Sequence, residues 1–499
     1  RPQHMLDQSS IDALRSAPVT PKLHLIDGAA LPASDGQMMD VISPLDGSVL
    51  TQTACGTAAD IEHAVKSARA AFEDGRWSQM PPAGRKKVLH KWADLIEANA
   101  LELAVLGVRD NGTEISMAIK AEPFSAAGTI RYYAEALDKV YGEIANTDPA
   151  FLGMIHREPV GVVGAIIPWN FPLMIGAWKL GPALAAGNSV VLKPSETASL
   201  TLHRLAELAL EAGLPKGVLN IVFGEGAVVG EALGLSMDVD VLVFTGSGGT
   251  GRRLLEYSAR SNLKRVYLEL GGKSPHIIFA DAPDLDAAAM AAAGGIFRNS
   301  GQVCVAGSRL LVQAEIHDDF VAAVAKNAAN FKVGDPLDMT TQMGAVNSAR
   351  QLEQNLGFVD TATAQGADLM HGGNRILQDT GGYFMEPTIF TGVGARDDIA
   401  QKEVFGPILA VTTFKDEAEA ISLANSTPLG LAAGAWTSDL GRAHRMIRAI
   451  RAGVVHINTY GGADNTVPLG GMGQSGNGSD KSMHAMDKYV DLKTAWIRL

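Results

Sequence analysis

The chain has 499 residues, 46% of them hydrophobic and 19% charged, so it is long enough for two to four domains with sizeable apolar cores. Its 42 Lys and Arg residues against 54 Asp and Glu residues give a net charge of −12, which argues against nucleic acid or an anionic membrane as a general partner. The two cysteines, far apart in the chain, exclude a disulfide framework and a cysteine-rich metal site, and they fit a reducing cytoplasm.

The start of the chain carries no signal for export. Residues 1–4 read as a cloning remnant ahead of Met5, and no basic-then-apolar secretion signal is present. No uninterrupted apolar run reaches the ~18 residues that a membrane-spanning helix needs. We therefore expect a cytoplasmic protein that does not enter a membrane.

Helical patterns come first in the chain. Apolar residues recur at helical spacing in residues 61–72, 86–108 and 126–140. Residues 141–159 are mixed and polar, and the alternation of Leu152, Met154 and His156 leaves one face apolar. We predict an extended arm there.

From residue 161 onwards, short apolar runs alternate with helical patterns. The runs predicted to be buried strands cover residues 161–167, 188–193, 217–223, 239–245 and 264–269. Strands that alternate with helices predict a parallel, doubly wound sheet, which binds ligands at the carboxyl ends of its strands. A second α/β stretch follows from Ser274 to about Tyr460, and residues 489–499 again read as a strand.

Cys304 is the first candidate for chemistry. It lies in the segment GQVCVAG (301–307), between a helical stretch at 285–299 and a strand at 310–312. A lone cysteine is ordinarily a small buried hydrophobic residue, but this setting predicts a loop that opens on a cleft, where a thiol can act as a nucleophile. A nearby base, a helix end or positive groups would lower its pKa below ~8.5. Cys55 has no such setting and is interpreted as structural.

Two polar residues follow or end predicted strands. Glu269 ends the apolar run VYLE, and a carboxylate buried there is either a salt-bridge partner or a general base with a raised pKa. Asn170 follows the run at 161–167. It either forms a turn or donates a hydrogen bond to a developing oxyanion.

A glycine-rich segment, GSGGTG (246–251), has the form GxGxxG after the run at 239–245, so Gly246 and Ser247 are candidates for phosphate binding. The ordinary dinucleotide pattern would make Glu269, about 20 residues further on, the ribose ligand. We reject that role, because the strand before these glycines is not the first of the sheet. Lys193 and Glu196, in KPSE at the end of the second strand, form the better ribose clamp.

Six motifs in this order resemble those of the aldehyde dehydrogenase superfamily: PWNFP at 168–172, KPSE at 193–196, FTGS at 244–247, ELGGKSP at 269–275, GQVC at 301–304 and EVFGP at 403–407. The resemblance runs from about residue 22 to the C-terminus. It implies an α/β protein with a Rossmann-like parallel-sheet NAD-binding domain (22–140 and 160–270), a second α/β catalytic domain (271–470) and a small β oligomerisation arm (141–159 and 480–499).

The resemblance also implies a reaction: NAD-dependent oxidation of an aldehyde to a carboxylic acid through a thioester on the nucleophile Cys304. Glu269 is implied as the base that activates water, and Asn170 with the Cys304 N–H as the oxyanion hole. Lys193 and Glu196 would hold the adenine ribose, Ser247 the pyrophosphate and Glu403 the nicotinamide ribose. The remaining implied cofactor-binding residues are Trp169, Gly246 and Phe405. No metal is expected.

The substrate is less closely defined. The segments YYAEALDKVYGE (132–143) and QSGNG (474–478), the latter followed by DKS, are similar to bacterial γ-glutamyl-γ-aminobutyraldehyde and related aminoaldehyde dehydrogenases of polyamine breakdown. This resemblance implies an aminoaldehyde of polyamine breakdown as substrate, but residues 467–473 depart from that group. Asp110 and Asp464 either face a cationic substrate or are solvated surface carboxylates. Met174 and Trp178, one helical turn apart, are predicted to line the substrate tunnel, which would equally suit an aromatic or aliphatic aldehyde.

Two other functions are alternatives to the oxidation of an aldehyde to the free acid. A CoA-acylating semialdehyde dehydrogenase would use the same cysteine but generally lacks the base, and a non-catalytic protein on this fold would not need Cys304, Glu269 and Asn170 together.

The resemblance implies a homodimer or homotetramer, with the tail strand adding to a neighbour's sheet. The alternative is a hairpin folded back on its own subunit.

Overall fold

The computed structural model describes residues 6–462 and 464–499, so the predicted cloning remnant at residues 1–4 lies outside the described residues. Two seven-stranded sheets, each flanked by helices, and a three-stranded arm make up the architecture. The predicted α/β class is confirmed.

The N-terminal sheet contains all five predicted strands. In spatial order its strands are Arg265–Glu269, Val241–Thr245, Val162–Ile166, Ser189–Lys193, Leu219–Ile221, His24–Ile26 and Ala29–Leu31. The first five pair in parallel, and the last two form an antiparallel edge that the sequence prediction did not contain. Because parallel strands end at the same edge of a sheet, the segments after Ile166, Lys193, Thr245 and Glu269 gather on one side.

The C-terminal sheet is also mainly parallel. Its strands, in spatial order, are Asp368–His371, Thr388–Thr391, Ile408–Phe414, Arg309–Gln313, Pro275–Ile278, Ala432–Trp436 and Val454–Ile457. Only the pairing of the first strand is antiparallel. The segment that carries Cys304 enters this sheet at Arg309.

Helices cover the faces of both sheets. The α-helices are Gln8–Arg15, Ala58–Glu73, Pro82–Ala98, Ala100–Asn111, Ile115–Ile119, Ser125–Ala136, Pro172–Ala185, Leu200–Glu211, Glu231–Leu235, Gly248–Ala259, Leu285–Phe297, His317–Ala329, Ala349–Ala364, Asp398–Gln401, Glu417–Ala424 and Leu440–Ala449. Tighter 3₁₀ turns are Arg298–Gly301, Ala314–Ile316, Gln378–Thr380 and Met483–Tyr489, and wider π turns are Lys120–Phe124 and Gly226–Gly230.

The helix predicted at 86–108 is in fact two helices. Asn99 separates Pro82–Ala98 from Ala100–Asn111, and its side-chain amide donates to the Leu95 carbonyl at 2.8 Å. An asparagine side chain that bonds the preceding turn competes with helix continuation. The second helix ends at Gly112 with a φ of 93°, a left-handed conformation that suits glycine.

The arm is a three-stranded antiparallel sheet. Phe151–Pro159 pairs with Glu143–Ala145 on one side and with Val490–Arg498 on the other. The tail strand thus pairs within its own chain, and its other edge remains free of ladder partners among the described residues. Four two-stranded pairs complete the sheets: Met38–Ile42 with Val49–Ala54, Arg375–Ile376 with Phe384–Met385, Leu429–Gly430 with Met472–Gly473, and Leu469–Gly470 with Ser479–Asp480.

Within residues 6–462 and 464–499, no helix is long and apolar enough to cross a membrane. The same residues contain no group of three or more His, Cys, Asp or Glu side chains arranged to hold a metal ion.

Candidate active site

Cys304 lies in a loop, as predicted, between helix Leu285–Phe297 and strand Arg309–Gln313, and part of its surface is accessible. The backbone before it is unusual: Asn299 and Ser300 have φ values of 51° and 53°. Left-handed backbone costs a non-glycine residue roughly 1–2 kcal/mol, so other contacts must hold it. At Gly301 a Cβ would lie 2.0 Å from the Gly406 carbonyl oxygen, which only glycine avoids.

Glu114 holds this loop in place. The carboxylate is buried and accepts hydrogen bonds from the backbone N–H of Asn299 at 3.0 Å and of Gly344 at 3.2 Å. The neighbouring Thr113 hydroxyl donates to the Asn299 side chain at 2.7 Å. The sequence analysis did not identify Glu114, because nothing local in a sequence marks a contact with a residue 185 positions away.

The surroundings of the Cys304 thiol contradict the expected low pKa. Burial, followed by the negative charges of Glu403 and Glu269, raises its pKa to about 12. Backbone N–H groups of the loop act in the opposite direction but are weaker. The expectation was wrong because the predicted base supplies a like charge rather than a cation.

Asn170 lies against the Cys304 loop. Its side-chain Nδ2 donates to the Gln302 carbonyl at 3.1 Å, two residues before the thiol, and its own carbonyl accepts from the Asn111 amide at 3.0 Å. A primary amide has two hydrogens to donate, so the second can serve an oxyanion formed next to Cys304. Asn170 can therefore form a turn and also donate a hydrogen bond to an oxyanion, so the two interpretations do not exclude each other.

Glu269 ends its strand with the side chain buried, only 5% exposed. Its Oε1 has no hydrogen-bond partner among the described residues. Burial and the charge of Asp480 raise the pKa of Glu269 well above its usual value, while Lys179 and Lys488 oppose that rise. A desolvated carboxylate with a raised pKa beside a nucleophile is suited to general base catalysis.

The sequence analysis did not predict the buried ionic cluster next to Glu269. Asp480 binds Lys179 at 2.5 Å and Lys488 at 2.6 Å. The sequence does mark Lys179 as unusual, since it is the one charged residue in the otherwise apolar helix Pro172–Ala185. Its partner 301 residues away could not be read from the chain.

The KPSE motif forms a cradle with a second loop. Lys193 is buried and lies 3.2 Å from Glu196, whose other oxygen accepts from the Gly226 N–H at 2.6 Å. A Cβ at Gly226 would lie 3.7 Å from Glu196 and 3.9 Å from the Lys193 ammonium and within 4 Å of no other atom of the described residues, so the ion pair borders open space at Gly226. A cation and a carboxylate around an open space fit a ribose with its hydroxyl groups.

Gly246 and Ser247 lie where the strand Val241–Thr245 passes into the helix Gly248–Ala259. The Ser247 hydroxyl caps this helix by accepting from the Thr250 N–H at 3.3 Å. A Cβ at Gly249 would meet no atom within 4 Å, so the helix start faces open space. The N-terminus of a helix with open space before it fits a pyrophosphate.

Glu403, Phe405 and Trp169 meet beside the Cys304 loop. Glu403 accepts from the Gly272 N–H at 3.2 Å, and burial raises its pKa to about 7. Phe405 has a φ of 59° and packs edge-on against Trp169, with ring centroids 5.3 Å apart. Glu403 and Phe405 line one small cavity with Val303, next to Cys304. A larger cavity, about 560 Å³ between Arg15 and Arg109, contains none of the predicted site residues.

The predicted tunnel residues have mixed outcomes. Met174 and Trp178 lie on one helix, as predicted, and pack in an apolar cluster with Phe171 and Val303. The interpretation of Asp110 was wrong on both counts, because it has no exposed surface and accepts from the Leu200 N–H at 3.1 Å. Without exposed surface, it faces neither solvent nor substrate.

Asp464, the other predicted tunnel carboxylate, is exposed and accepts from the Thr466 N–H at 2.8 Å. This hydrogen bond and that of the Thr466 hydroxyl lower the pKa of Asp464. Lys481 also contributes to the lowering and lies with its ammonium 5.8 Å from the Trp178 ring centre. The Lys481 ammonium therefore lies near both the Trp178 ring of the apolar cluster and the Asp464 carboxylate.

Comparison with known proteins agrees with this geometry. A sequence profile of the aldehyde dehydrogenase family matches residues 31–495. The NADP/NAD-dependent aldehyde dehydrogenase PuuC of Escherichia coli is 49% identical over 95% of both chains. Two solved structures cover 99% of this chain and all of their own: indole-3-acetaldehyde dehydrogenase AldA of P. syringae with NAD+ and IAA (50% identical, TM-score 0.98) and gamma-glutamyl-gamma-aminobutyraldehyde dehydrogenase of Burkholderia cenocepacia (47%, 0.97). The chain belongs to the aldehyde dehydrogenase family.

Proposed function

We propose that this protein oxidises an aldehyde to a carboxylic acid with NAD+ through a thioester on Cys304. The observation that carries the proposal is the convergence of three groups on one loop. The Asn170 amide contacts the Cys304 loop. Glu269, whose Oε1 has no hydrogen-bond partner among the described residues, lies close enough to influence the thiol. A nucleophile, an oxyanion donor and a base are the parts that acyl transfer requires.

Each of these side chains has one task in the reaction. The Cys304 thiolate attacks the carbonyl carbon, and the Asn170 amide with the Cys304 N–H stabilises the oxyanion that forms. As the oxyanion collapses to the Cys304 thioester, the C–H bond of the former aldehyde carbon breaks, and NAD+, when bound, would accept the hydride. Glu269 then removes a proton from the water that attacks the thioester carbonyl, which releases the acid and restores Cys304.

The cofactor would lie along the carboxyl ends of the N-terminal sheet. Lys193 and Glu196 fit the adenine ribose because they flank the open space at Gly226. Gly246 and Ser247 fit the pyrophosphate at the helix start. For the nicotinamide end we propose Glu403, together with Phe405 and Trp169 beside Cys304.

The substrate proposal follows from the apolar cluster. Trp178, Phe171, Met174 and Val303 provide a wall for an aromatic or aliphatic chain. An aminoaldehyde is the alternative, because proteins named aminoacetaldehyde dehydrogenase and gamma-glutamyl-gamma-aminobutyraldehyde dehydrogenase are similar in sequence and the exposed Asp464 offers a negative charge to a cationic group. The buried Asp110 offers no support for a cationic substrate.

We also propose the domain boundaries, the oligomeric state and the cellular compartment of the enzyme. Its domains would be a NAD-binding domain (22–140 and 160–270), a catalytic domain (271–470) and an oligomerisation arm (141–159 and 480–499), assembled as a homodimer or homotetramer in the cytoplasm. The two sheets and the arm support these boundaries, since all of their strands fall within them. Of the short paired strands, Met472–Gly473 lies between residues 470 and 480, and Ser479–Asp480 crosses the boundary at residue 480.

The proposal is tested by following NADH formation with NAD+ and propionaldehyde, indole-3-acetaldehyde or aminoacetaldehyde, with and without CoA. We expect NADH and the free acid from the wild type and from the control Cys55→Ser, and neither from Cys304→Ser, because a hydroxyl is a poor nucleophile at neutral pH. An acyl-CoA product would favour the CoA-acylating alternative. Absence of NADH with every aldehyde would contradict the proposal.

A further inference from the structure

Asp480 lies between two lysines inside the protein. Its Oδ2 accepts from Lys179 at 2.5 Å and its Oδ1 from Lys488 at 2.6 Å. The three side chains expose 1%, 1% and 5% of their surface for Asp480, Lys179 and Lys488. One carboxylate cannot neutralise two ammonium groups, so this trio carries an excess of one positive charge in a place where unpaired charge is costly.

Glu269 is the group that this excess charge faces. A Cβ at Gly478, two residues before Asp480, would lie 3.5 Å from Glu269 Oε1, and the backbones of Glu269 and Gly476 form a bridge. Lys179 approaches from the helix Pro172–Ala185 and Lys488 from the 3₁₀ turn Met483–Tyr489.

One further cation acts on this centre: Lys481, the residue after Asp480, also interacts with Asp464 and lies 5.8 Å from the Trp178 ring centre. Asp480, Lys179 and Lys488 act on Glu269, and Glu269 acts in turn on Cys304. Tyr133 and Tyr489 surround Asp480, and Tyr267 lies beside Tyr489. Burial raises the pKa values of Tyr133 and Tyr489, so both are neutral phenols near pH 7.

We propose that Lys488 is a positioning residue for the reaction, because its ammonium supplies positive charge that favours ionisation of the buried Glu269 carboxylate. This inference rests on the proposed function, in which Glu269 is the base. With Lys488 present, ionised Glu269 completes a neutral set of two lysines and two carboxylates. Without it, ionisation of Glu269 would leave a net negative charge in the interior, which burial opposes.

The place of Lys488 in the chain links the base to the C-terminal segment. The next residue, Tyr489, is fully buried, and its carbonyl accepts from the Asn188 amide at 3.0 Å. The Tyr133 hydroxyl donates to the Ser482 carbonyl at 2.8 Å at the other end of the turn. The segment that leads into the arm strand is therefore anchored to the core on both sides of Lys488, which fixes the ammonium behind Glu269.

The test isolates thioester hydrolysis from the cofactor. Cys304 is acetylated with p-nitrophenyl acetate, the protein is separated from the reagent, and loss of the acetyl group is followed by intact mass from about pH 6 to 10. We expect the midpoint of the rate to shift upward by about 1–3 pH units in Lys488→Met, since loss of a nearby opposite charge raises a carboxyl pKa by about that amount. Lys488→Arg should keep the wild-type midpoint, and so should the exposed control Lys332→Met.

A double variant separates charge from packing. Asp480→Asn combined with Lys488→Met removes one charge of each sign, so its midpoint should return towards that of the wild type. A wild-type midpoint in Lys488→Met, or an equal shift in the double variant, would overturn the proposal. If Lys488→Met does not fold by circular dichroism, Lys488→Gln takes its place, with the same upward shift expected and the same outcomes overturning the proposal. Failure of the proposed function itself would show differently, as absence of NADH or of acetyl on Cys304.

Discussion

At the residue scale, the raised pKa of Glu269 sets the pH dependence of thioester hydrolysis. The carboxylate must be ionised to accept a proton from water, so hydrolysis should be slow below the pKa of Glu269 and rise as the pH approaches it. Ionisation of Glu269 affects the stability of the fold in the opposite direction to ionisation of a salt-bridged carboxylate. Because the folded-state pKa is raised, burial of this group destabilises the fold once the pH exceeds the pKa of an unfolded glutamate.

We predict that Glu269→Gln slows steady-state aldehyde oxidation by about 10²–10⁴ and leaves a rapid first release of about one equivalent of NADH, since loss of a general base costs about that factor. Stopped-flow absorbance measures both phases, and Glu256→Gln on an exposed face of the helix Gly248–Ala259 is the control. If the first phase disappears as well, Glu269 acts before the thioester forms.

Cys304 leads to a second prediction at this scale. With its thiol pKa raised to about 12, alkylation by iodoacetamide in the free enzyme should accelerate about tenfold per pH unit between about pH 7 and 10, as the thiolate fraction grows. Glu403→Gln should react faster at every pH, because it removes a negative charge beside the sulfur. The measurement is the mass of the Cys304 peptide over time. A rate that levels off below pH 8 would show that the thiol pKa is low.

At the element scale, the loop before Cys304 depends on a buried carboxylate from another part of the chain. We predict that Glu114→Ala lowers the free energy of unfolding by about 1–3 kcal/mol for each backbone N–H left unsatisfied, at Asn299 and at Gly344. Glu114→Gln should lose less, because its carbonyl oxygen still accepts. Urea unfolding measures the change, and equal stability of Glu114→Ala and the wild type would contradict the role of Glu114.

The strand-end clamp gives a prediction about the cofactor. Both oxygens of Glu196 are already engaged, by Lys193 and by the Gly226 N–H, so the carboxylate is fixed beside the ribose space. A 2′-phosphate there meets like charge, and a penalty of about 1.4 kcal/mol already gives a tenfold preference. We therefore expect kcat/KM to favour NAD+ over NADP+ by about tenfold or more. Lys193 offsets part of the repulsion.

The variant Glu196→Gln should narrow this preference, while Glu225→Gln, the same change at an exposed neighbouring position, should not. Equal kcat/KM values for the two cofactors in the wild type would contradict the clamp. A relative of this chain is named as NADP/NAD-dependent, so the ratio is the informative quantity rather than activity with one cofactor.

At the scale of the whole molecule, the arm exposes an apolar surface that one chain does not cover. Leu492 and Trp496 on the tail strand are 64% and 58% exposed, and Ile144 on the strand at the opposite edge of the arm is 76% exposed. Large exposed apolar groups beside an unpaired strand edge are typical of an interface between subunits. This supports the two-fold homodimer, or the tetramer built from it, that we propose.

We predict that light scattering at micromolar concentration gives a mass of two or four chains of 52.4 kDa. Deletion of residues 491–499 should give a smaller or insoluble species, because Phe151–Pro159 then loses its strand partner. Tyr489 is kept in this truncation because it is fully buried in the main core. Trp496→Lys is the milder variant and should weaken the assembly without removing the strand. A stable single chain in the wild type would contradict the interface.

The sequence by itself determined the α/β class, the five parallel strands and the positions of Cys304, Glu269 and Asn170 within motifs. These features are local: apolar runs of strand length define a buried sheet, and parallel strands end at one edge, so residues that follow strands meet there. Met174 and Trp178 could be paired for the same reason, since one helical turn fixes their neighbourhood.

The tertiary structure alone decided what surrounds these residues. Glu114 under the Cys304 loop, Asp480 between Lys179 and Lys488, and the buried position of Asp110 each depend on contacts between distant parts of the chain. The high pKa of the Cys304 thiol has the same origin, because it comes from burial and from carboxylates brought in by other segments. The spacing of apolar residues in the sequence predicts helices and strands, whereas burial and charge at a site depend on every element packed against it.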